Sequence, residues 1–472
     1  MQKKKKAALT LAVLVALVSC GTEPGSAAVQ QDAEHAVQQA VQAGAKVSGE
    51  KAQELAHSTL HVTALEVPSG SALTKEKILK LVPELGKSDI DVARLGRQIA
   101  LYNTNGNALK LAVNFQQVSG GYKVRAAGVK GERVEAGLFV SNNGSTYTGD
   151  WRGTLTYVDR NLSGRGDTFG AAVVNALDKP DAVHEGAISY TLPLPHAADT
   201  LTLQGSASDS KLHDLAKGYP FDITASGKSE RVRLAYQHYL AHAAHETDAW
   251  EFGVDYHHTD NDTVLTLGST IPLAHYDLRH VDAALGFRHA DAGRTHRFGY
   301  ALGVQRNVLG DRQDFRQMTG DAAKHFTVFH GSANYHKRLP QDWLLSFRTA
   351  GQYTDDSLIG CEKFGAGGQD SVRGFDENIR TADRGISGSL ECYTPRFLKG
   401  VRALAFVDGA ALRNNGTGVD HTDLASCGLG LRFHQQDLYL SLDYAFILHE
   451  PDSVERDPAG HRRFSFFGGI TF

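Results

Sequence analysis

The sequence predicts an all-β transmembrane barrel of about 16 antiparallel strands, preceded by one small α/β unit. Three observations predict it. From about Arg133 to Phe472, apolar and polar residues alternate in run after run, separated by turn residues. A period of 2 with aromatics on one face and charges on the other suits lipid outside and water inside. The connections between runs also alternate in length. Ser208–Ser229, His258–Asp277, Asn307–Lys324, Asp355–Arg384 and His449–His461 read as long loops on one side, while Pro195–Asp199, Asp291–Thr295 and Pro340–Asp342 read as short turns on the other. Finally, mean hydropathy is −0.30 with 22% charged residues. Past the N-terminus no run approaches the ~20 apolar residues of a membrane helix, whereas a barrel strand needs only about 9–11 residues, every second one apolar. A soluble β-sandwich would alternate as well, but it explains neither the loop asymmetry nor the export signal that opens the chain.

Residues 1–28 form that signal: Lys3–Lys6 are its basic region and Ala7–Ser19 its short apolar core. Two cleavage readings stand side by side. Leu17-Val18-Ser19-Cys20-Gly21 has the form of a lipobox, which would leave Cys20 lipidated, while Ser26-Ala27-Ala28 offers small residues to an ordinary signal peptidase. Residues 29–57 read as a helix and linker, with Val29, Ala33, Val37 and Ala40 at helical spacing. After Cys20 only Cys361, Cys392 and Cys427 remain; three cannot pair completely, and none has metal-ligand spacing.

Residues 58–130 carry a different pattern. Leu60–Val67 reads as a strand, Thr74–Val82 as a helix capped by Ser71 or Thr74, and Asp91–Tyr102 as a second helix. Leu109–Val118 and Tyr122–Val129 alternate across Ser119-Gly120-Gly121, a hairpin signal. A small sheet of this kind exposes an edge, which can recruit an extended strand through main-chain hydrogen bonds. The barrel follows over residues 131–472, beginning with Val134–Ser141. Its clearest strand is the fifteenth: Leu438, Leu440, Leu442, Tyr444 and Phe446 share one face, and Tyr439, Ser441 and Asp443 the other. Trp250, Phe252, Val254 and Tyr256 oppose Glu251, Asp255 and His257 in the same way, and each tryptophan begins a strand, as an interfacial aromatic girdle requires.

The most informative stretch is Val372-Arg373-Gly374-Phe375. It lies in the glycine- and charge-rich segment Asp355–Arg384, between strand 11 (Trp343–Tyr353) and strand 12 (Gly385–Tyr393). An arginine beside glycine in such a loop points to a guanidinium aimed at buried carboxylates. Strand parity turns Arg402, Leu404, Phe406 and Asp408 of strand 13 toward the lumen, with Glu391 of strand 12, and turns Cys392 and Cys427 toward lipid. The tetrad, the Phe406-Val407-Asp408 sequence and the terminal Phe472 resemble the two-partner-secretion transporters. These are the outer-membrane partners of haemolysins and filamentous haemagglutinin, and relatives of the BamA-type assembly barrels.

That resemblance implies an outer-membrane transporter of a diderm bacterium, which secretes and activates a partner exoprotein through its barrel. It makes residues 58–130 a periplasmic POTRA domain that captures the client, although relatives usually carry two such domains. It makes the VRGF loop a lumen element, with Arg373 paired to Asp408 and Glu391 as second acceptor. Ala410 stands where the family has glycine, with Gly409 adjacent. The helix near the N-terminus becomes a pore plug or a tether. Phe464, Phe466, Ile470 and Phe472 become the pattern read by the barrel-assembly machinery. The partners implied are a haemolysin- or adhesin-type client, outer-membrane lipid and that machinery, with the transporter itself a monomer. Two alternatives stay open: a barrel-assembly factor of the same superfamily, and a passive porin or surface lipoprotein.

Other signals point away from chemistry. A net charge of −4 gives no reason to expect nucleic acid. Gly365-Ala366-Gly367-Gly368 lacks the strand–helix context of a phosphate-binding loop. No nucleophile has a base and an orienter, so neither an enzyme nor a cofactor is expected. His238, His242 and His245 run off a strand into a turn, and no metal site is assigned there. Arg165-Gly166-Asp167 falls in a turn between strands 2 and 3 and not on an adhesive loop.

Overall fold

The computed structural model describes residues 59–472, apart from 105–108, 132, 146, 195–198, 213–214, 216–220, 242–245, 268, 294, 320–321, 417–420 and 450–461. The signal segment with Cys20 and the expected helix over 29–57 lie outside the described residues. The first described unit runs β1 (Thr59–Glu66), α1 (Lys75–Leu81), a 3-10 turn (Pro83–Gly86), β2 (Asp89–Asp91), α2 (Val92–Thr104), β3 (Leu109–Val118) and β4 (Gly121–Lys130). Thr74 caps α1, its hydroxyl accepting from the Lys77 amide. The four strands lie in the order β2-β1-β4-β3, with β1 and β4 parallel. Ile78, Leu85, Ile90, Leu95, Leu111 and Val124 form the core between helices and sheet. This is the small α/β unit expected. The 3-10 turn and the short β2 have too few residues to show a periodicity. β3 pairs only with β4, so its other side is a sheet edge among the described strands.

The barrel strands are β5 (Val134–Ser141), β6 (Arg152–Asp159), β7 (Thr168–Ala176), β8 (Val183–Pro193), β9 (Thr200–Leu212), β10 (Asp222–Ala241), β11 (Glu246–Leu267) and β12 (Ser269–Ala292). They continue as β13 (His296–Gly310), β14 (Thr327–Arg338) and β15 (Leu344–Tyr353). A short hairpin, β16 (Phe364–Ala366) and β17 (Arg380–Ala382), then leaves the wall before β18 (Arg384–Tyr393), β19 (Val401–Arg413), β20 (His421–Gln435), β21 (Leu438–His449) and β22 (Arg462–Thr471) complete it. All sixteen wall strands form one closed antiparallel sheet, with β22 returning to β5. Closure removes every unpaired edge, which a sheet crossing lipid cannot leave open. Leu155, Ile188, Leu203, Phe252, Leu302 and Leu429 stand exposed on the outer face, a continuous apolar band suited to lipid and not to water.

Two expected loops are largely strand instead, and a third begins as strand. Ser208–Ser229, His258–Asp277 and the start of Asn307–Lys324 are absorbed into longer hairpins, and the short helix α3 (Arg312–Thr319) fills part of the last. β11 and β12 reach 22 and 24 residues. At ~3.3 Å per residue and a tilt near 45°, such a strand rises roughly 50 Å, well beyond a ~25 Å apolar band. Apolar residues return only at the tip (Val264, Leu265, Leu267, Ile271 and Leu273); residues 258–263 are polar on both faces, so alternation is lost there while pairing persists. There His275 bonds Asp262 at 2.8 Å and His258 bonds Asp277 at 3.1 Å across the hairpin. Polarity alone marked these residues as loop, but cross-strand pairs keep them in the ladder. Trp151 and Trp343 directly precede β6 and β15, whereas Trp250 lies a few residues inside β11.

Candidate functional site in the barrel lumen

Between β15 and β18 the chain folds back into the barrel. Gln352, at the end of β15, holds both arms of this loop: its side-chain amide donates to the backbone carbonyls of Glu362 at 2.9 Å and Asp383 at 3.0 Å. The β16–β17 hairpin lies against inward-facing residues. Phe364, Ala366, Val372, Phe375, Leu412 and Leu424 belong to one buried apolar cluster. Two members of the VRGF tetrad, Val372 and Phe375, are thus apolar anchors on either side of the arginine.

Arg373 is the largest fully buried side chain among the described residues, at 1% exposure. Its Nε donates to Asp408 Oδ2 at 2.7 Å and its Nη2 to Asp408 Oδ1 at 2.8 Å, a bidentate fork. Its backbone N–H also donates to Asp408 Oδ2, at 3.1 Å. Nη1 lies 2.8 Å from Glu391 Oε1, and Nη2 donates to Ser389 Oγ at 3.0 Å. The guanidinium carbon sits 3.5 Å from the centroid of the Phe406 ring, so the cation also rests on an aromatic face. The structure therefore brings Arg373, Asp408, Glu391 and Phe406 together at one point of the lumen wall.

Gly374 has its own physical reason. Its φ is +101°, and a Cβ there would lie 3.3 Å from both Ala445 Cβ and Ile447 Cγ1. The backbone must turn left-handed while pressed against β21, and only glycine does both cheaply.

Sequence reasoning missed the surroundings of the pair. Ser389 stands directly opposite Asp408 in the β18–β19 register. Tyr393 donates its hydroxyl to Glu391 Oε2 at 2.7 Å. Arg432 grips Asp443 through two bonds, of 2.8 and 2.9 Å, and Asp443 Oδ1 lies 3.9 Å from Arg373 Nη1. Parity could have flagged each as inward-facing, but not as neighbours. The centre thus gathers three carboxylates (Asp408, Glu391 and Asp443) around Arg373 and Arg432, with the Arg348 charge also acting on Glu391.

At its tip the loop reaches the closing seam. Gln369 Nε2 donates to Asn142 Oδ1 and to the Phe466 carbonyl, each at 3.3 Å, and Arg463 pairs with Asp376. Phe464, Ile470 and Phe472 are exposed on the outer face, and Phe466 lies against Trp151 with ring centroids 5.8 Å apart. Phe472 exchanges both backbone bonds with Ala136, at 2.9 Å each. Cys392 and Cys427 are free, partly exposed thiols at outward positions. His238 bonds Asp199 at 3.1 Å. Asp167 closes its own turn on Ser163 and on the Tyr190 hydroxyl.

A family model described as haemolysin secretion/activation protein ShlB/FhaC/HecB matches residues 120–433, well over half of the chain. The chain belongs to this family. Among curated protein sequences none matches significantly. Two solved structures share the fold of this ShlB/FhaC/HecB-family protein. CdiB from Escherichia coli superposes with a TM-score of 0.72 at 18% identity, covering 87% of this chain and 76% of its own. CdiB from Acinetobacter baumannii gives 0.65 at 16% identity, covering 96% and 82%. Identities this low speak for the fold, and the family match for the class: an outer-membrane β-barrel of the two-partner-secretion type.

Proposed function

We propose that this family member exports a partner protein through its own barrel, with the VRGF loop as the movable occupant of the lumen. One observation carries the reading: a fully buried arginine, presented by a loop, has its charged partners on the inner wall of a closed barrel. A passive porin has no use for such an anchor. Folded, the loop narrows the passage; released, it would open a water-lined path between charged strand faces. The α/β unit would stand in the periplasm and offer the free edge of β3 to an extended client, which adds a strand by main-chain hydrogen bonding. Export would be driven by the client folding outside. A client of the haemolysin or adhesin type, made as an extended chain and folding only after exit, fits that energetics.

The test joins conductance to secretion. Deleting residues 355–384 should raise single-channel conductance in planar bilayers while the barrel remains heat-modifiable. Co-expression with an exoprotein encoded alongside should yield extracellular client for the wild type and little for Arg373→Ala. Unchanged conductance in a folded deletion variant would mean the loop does not occupy the passage. Normal secretion by Arg373→Ala would favour an assembly role or a passive pore.

A further inference from the structure

Away from Arg373, a second group of buried polar side chains joins the loop to the wall. His257 on β11 stands directly opposite His280 on β12, and Asp282 follows two residues later on the same face. The two imidazoles stack, with ring centroids 4.7 Å apart and planes 7° from parallel. Glu362, at the end of a 3-10 turn (Gly360–Glu362) in the loop, reaches across to them. All four side chains are buried, and one donor atom from each lies within 4.8 Å of all the others.

Only one spacing within this group is a hydrogen bond. His280 Nε2 lies 3.2 Å from Glu362 Oε1, within hydrogen-bonding distance. The other approaches are longer: His280 Nε2 to Asp282 Oδ2 is 3.5 Å, His257 Nε2 to Asp282 Oδ2 is 3.7 Å and His257 Nδ1 to Glu362 Oε1 is 3.9 Å. His257 Nε2 is buried with no hydrogen-bond partner, an expensive state for a ring nitrogen. One ion would take His257 through a single nitrogen; the Nε2 approach to Asp282 at 3.7 Å and the His280 approaches at 3.2 and 3.5 Å lie near the ligand–ligand edges of roughly 3.3–3.6 Å that bonds of about 2.0–2.2 Å set in a tetrahedron.

Outer partners are in place too. Asn307 donates to Asp282 Oδ1 at 2.9 Å, and Gln305 Nε2 donates to Asp282 Oδ2 at 2.8 Å and to Glu362 Oε2 at 2.9 Å. Second contacts of this kind fix the orientation of ligating carboxylates. Leu278, Phe315, Phe326 and Ile359 form an apolar cluster beside the group, and the edges of Phe315 and Phe326 approach the His280 ring. That shell limits competition from water.

We infer that His257, His280, Asp282 and Glu362 form a binding site for a divalent transition-metal ion of the zinc class, which ties the lumen loop to β11 and β12. Imidazole is the borderline donor such ions prefer, and zinc also accepts carboxylate oxygen at about 2.0–2.2 Å. Only Glu362 comes from the loop, so the ion would be a removable clasp, separate from the Arg373 anchor. The site rests on its own geometry and holds whether or not the barrel exports protein.

The experiment uses the full chain in detergent, stripped with chelator and titrated with Co2+. The wild type should bind one Co2+ with the intense visible bands of a four-coordinate nitrogen–oxygen site, displaced by Zn2+. Glu362→Gln keeps the loop's shape and removes the ligand charge; it should weaken binding at least tenfold. His275→Ala changes the exposed Asp260–Asp262–His275 group and should leave the affinity unaltered. In bilayers, chelator should raise the conductance of the wild type but not of Glu362→Gln. Absence of stoichiometric Co2+ binding by the folded wild type would overturn the assignment, as would wild-type affinity in folded Glu362→Gln.

Discussion

Arg373→Ala, Asp408→Ala and the double substitution form a cycle whose outcome can be worked from the site. Asp408 receives three hydrogen bonds from Arg373: Nε at 2.7 Å, Nη2 at 2.8 Å and the backbone N–H at 3.1 Å. Arg373→Ala keeps only the last. It also leaves Asp408, Glu391 and Asp443 facing Arg432, which is already committed to Asp443, with Arg348 acting on Glu391. Removing one partner of a buried pair costs about 3–5 kcal/mol. Each 1.4 kcal/mol is about a factor of ten, so the seated loop should lose roughly two to four orders of magnitude in relative population. Asp408→Ala should cost less, since Arg373 retains Glu391 at 2.8 Å and Ser389 at 3.0 Å. The double variant should be no worse than Arg373→Ala alone, because it no longer strands Asp408. Arg373→Lys should fall between, keeping charge without the fork. Hydrogen exchange over residues 364–382, read beside bilayer conductance and client secretion, measures the effect. Fully additive losses around the cycle would show that Arg373 and Asp408 do not act as one unit. Native-like loop protection in Arg373→Ala would remove the anchoring role altogether.

Gly374→Ala should unseat the loop without touching the charges. A non-glycine residue at φ +101° costs on the order of 1–3 kcal/mol, so faster exchange confined to the loop is expected in a barrel of normal heat-modifiability; wild-type exchange would deny the strain. At the terminus, Phe472→Ala separates side chain from backbone. The ring is 76% exposed, while the main chain bonds Ala136 in the seam. If the aromatic is the assembly mark, the alanine variant should reach the outer membrane in clearly lower amount, and normal insertion would assign Phe472 to seam closure alone.

Alternation with period 2 is a local property, and it sufficed for the fold class, the strand count and the inward face of strand 13. Phe406 and Asp408 point inward because residues two apart share a face, whatever their neighbours do. The Arg373–Asp408 meeting was legible too, through the charge in a loop beside an inward-facing carboxylate and through the family resemblance. Where a strand leaves the membrane was not legible, because the polar run over residues 258–263 interrupts the alternation that would mark the continuation of β11 and β12. Nor was it legible which inward residues meet. Ser389 faces Asp408, and His257 faces His280, only because the register of each pair puts them opposite. Glu362 joins the second pair through the path of a loop held on Gln352. Register, closure and loop path are settled by hydrogen bonds between segments far apart in the chain. Local alternation sets which faces are wet; pairing between distant segments sets which wet residues touch.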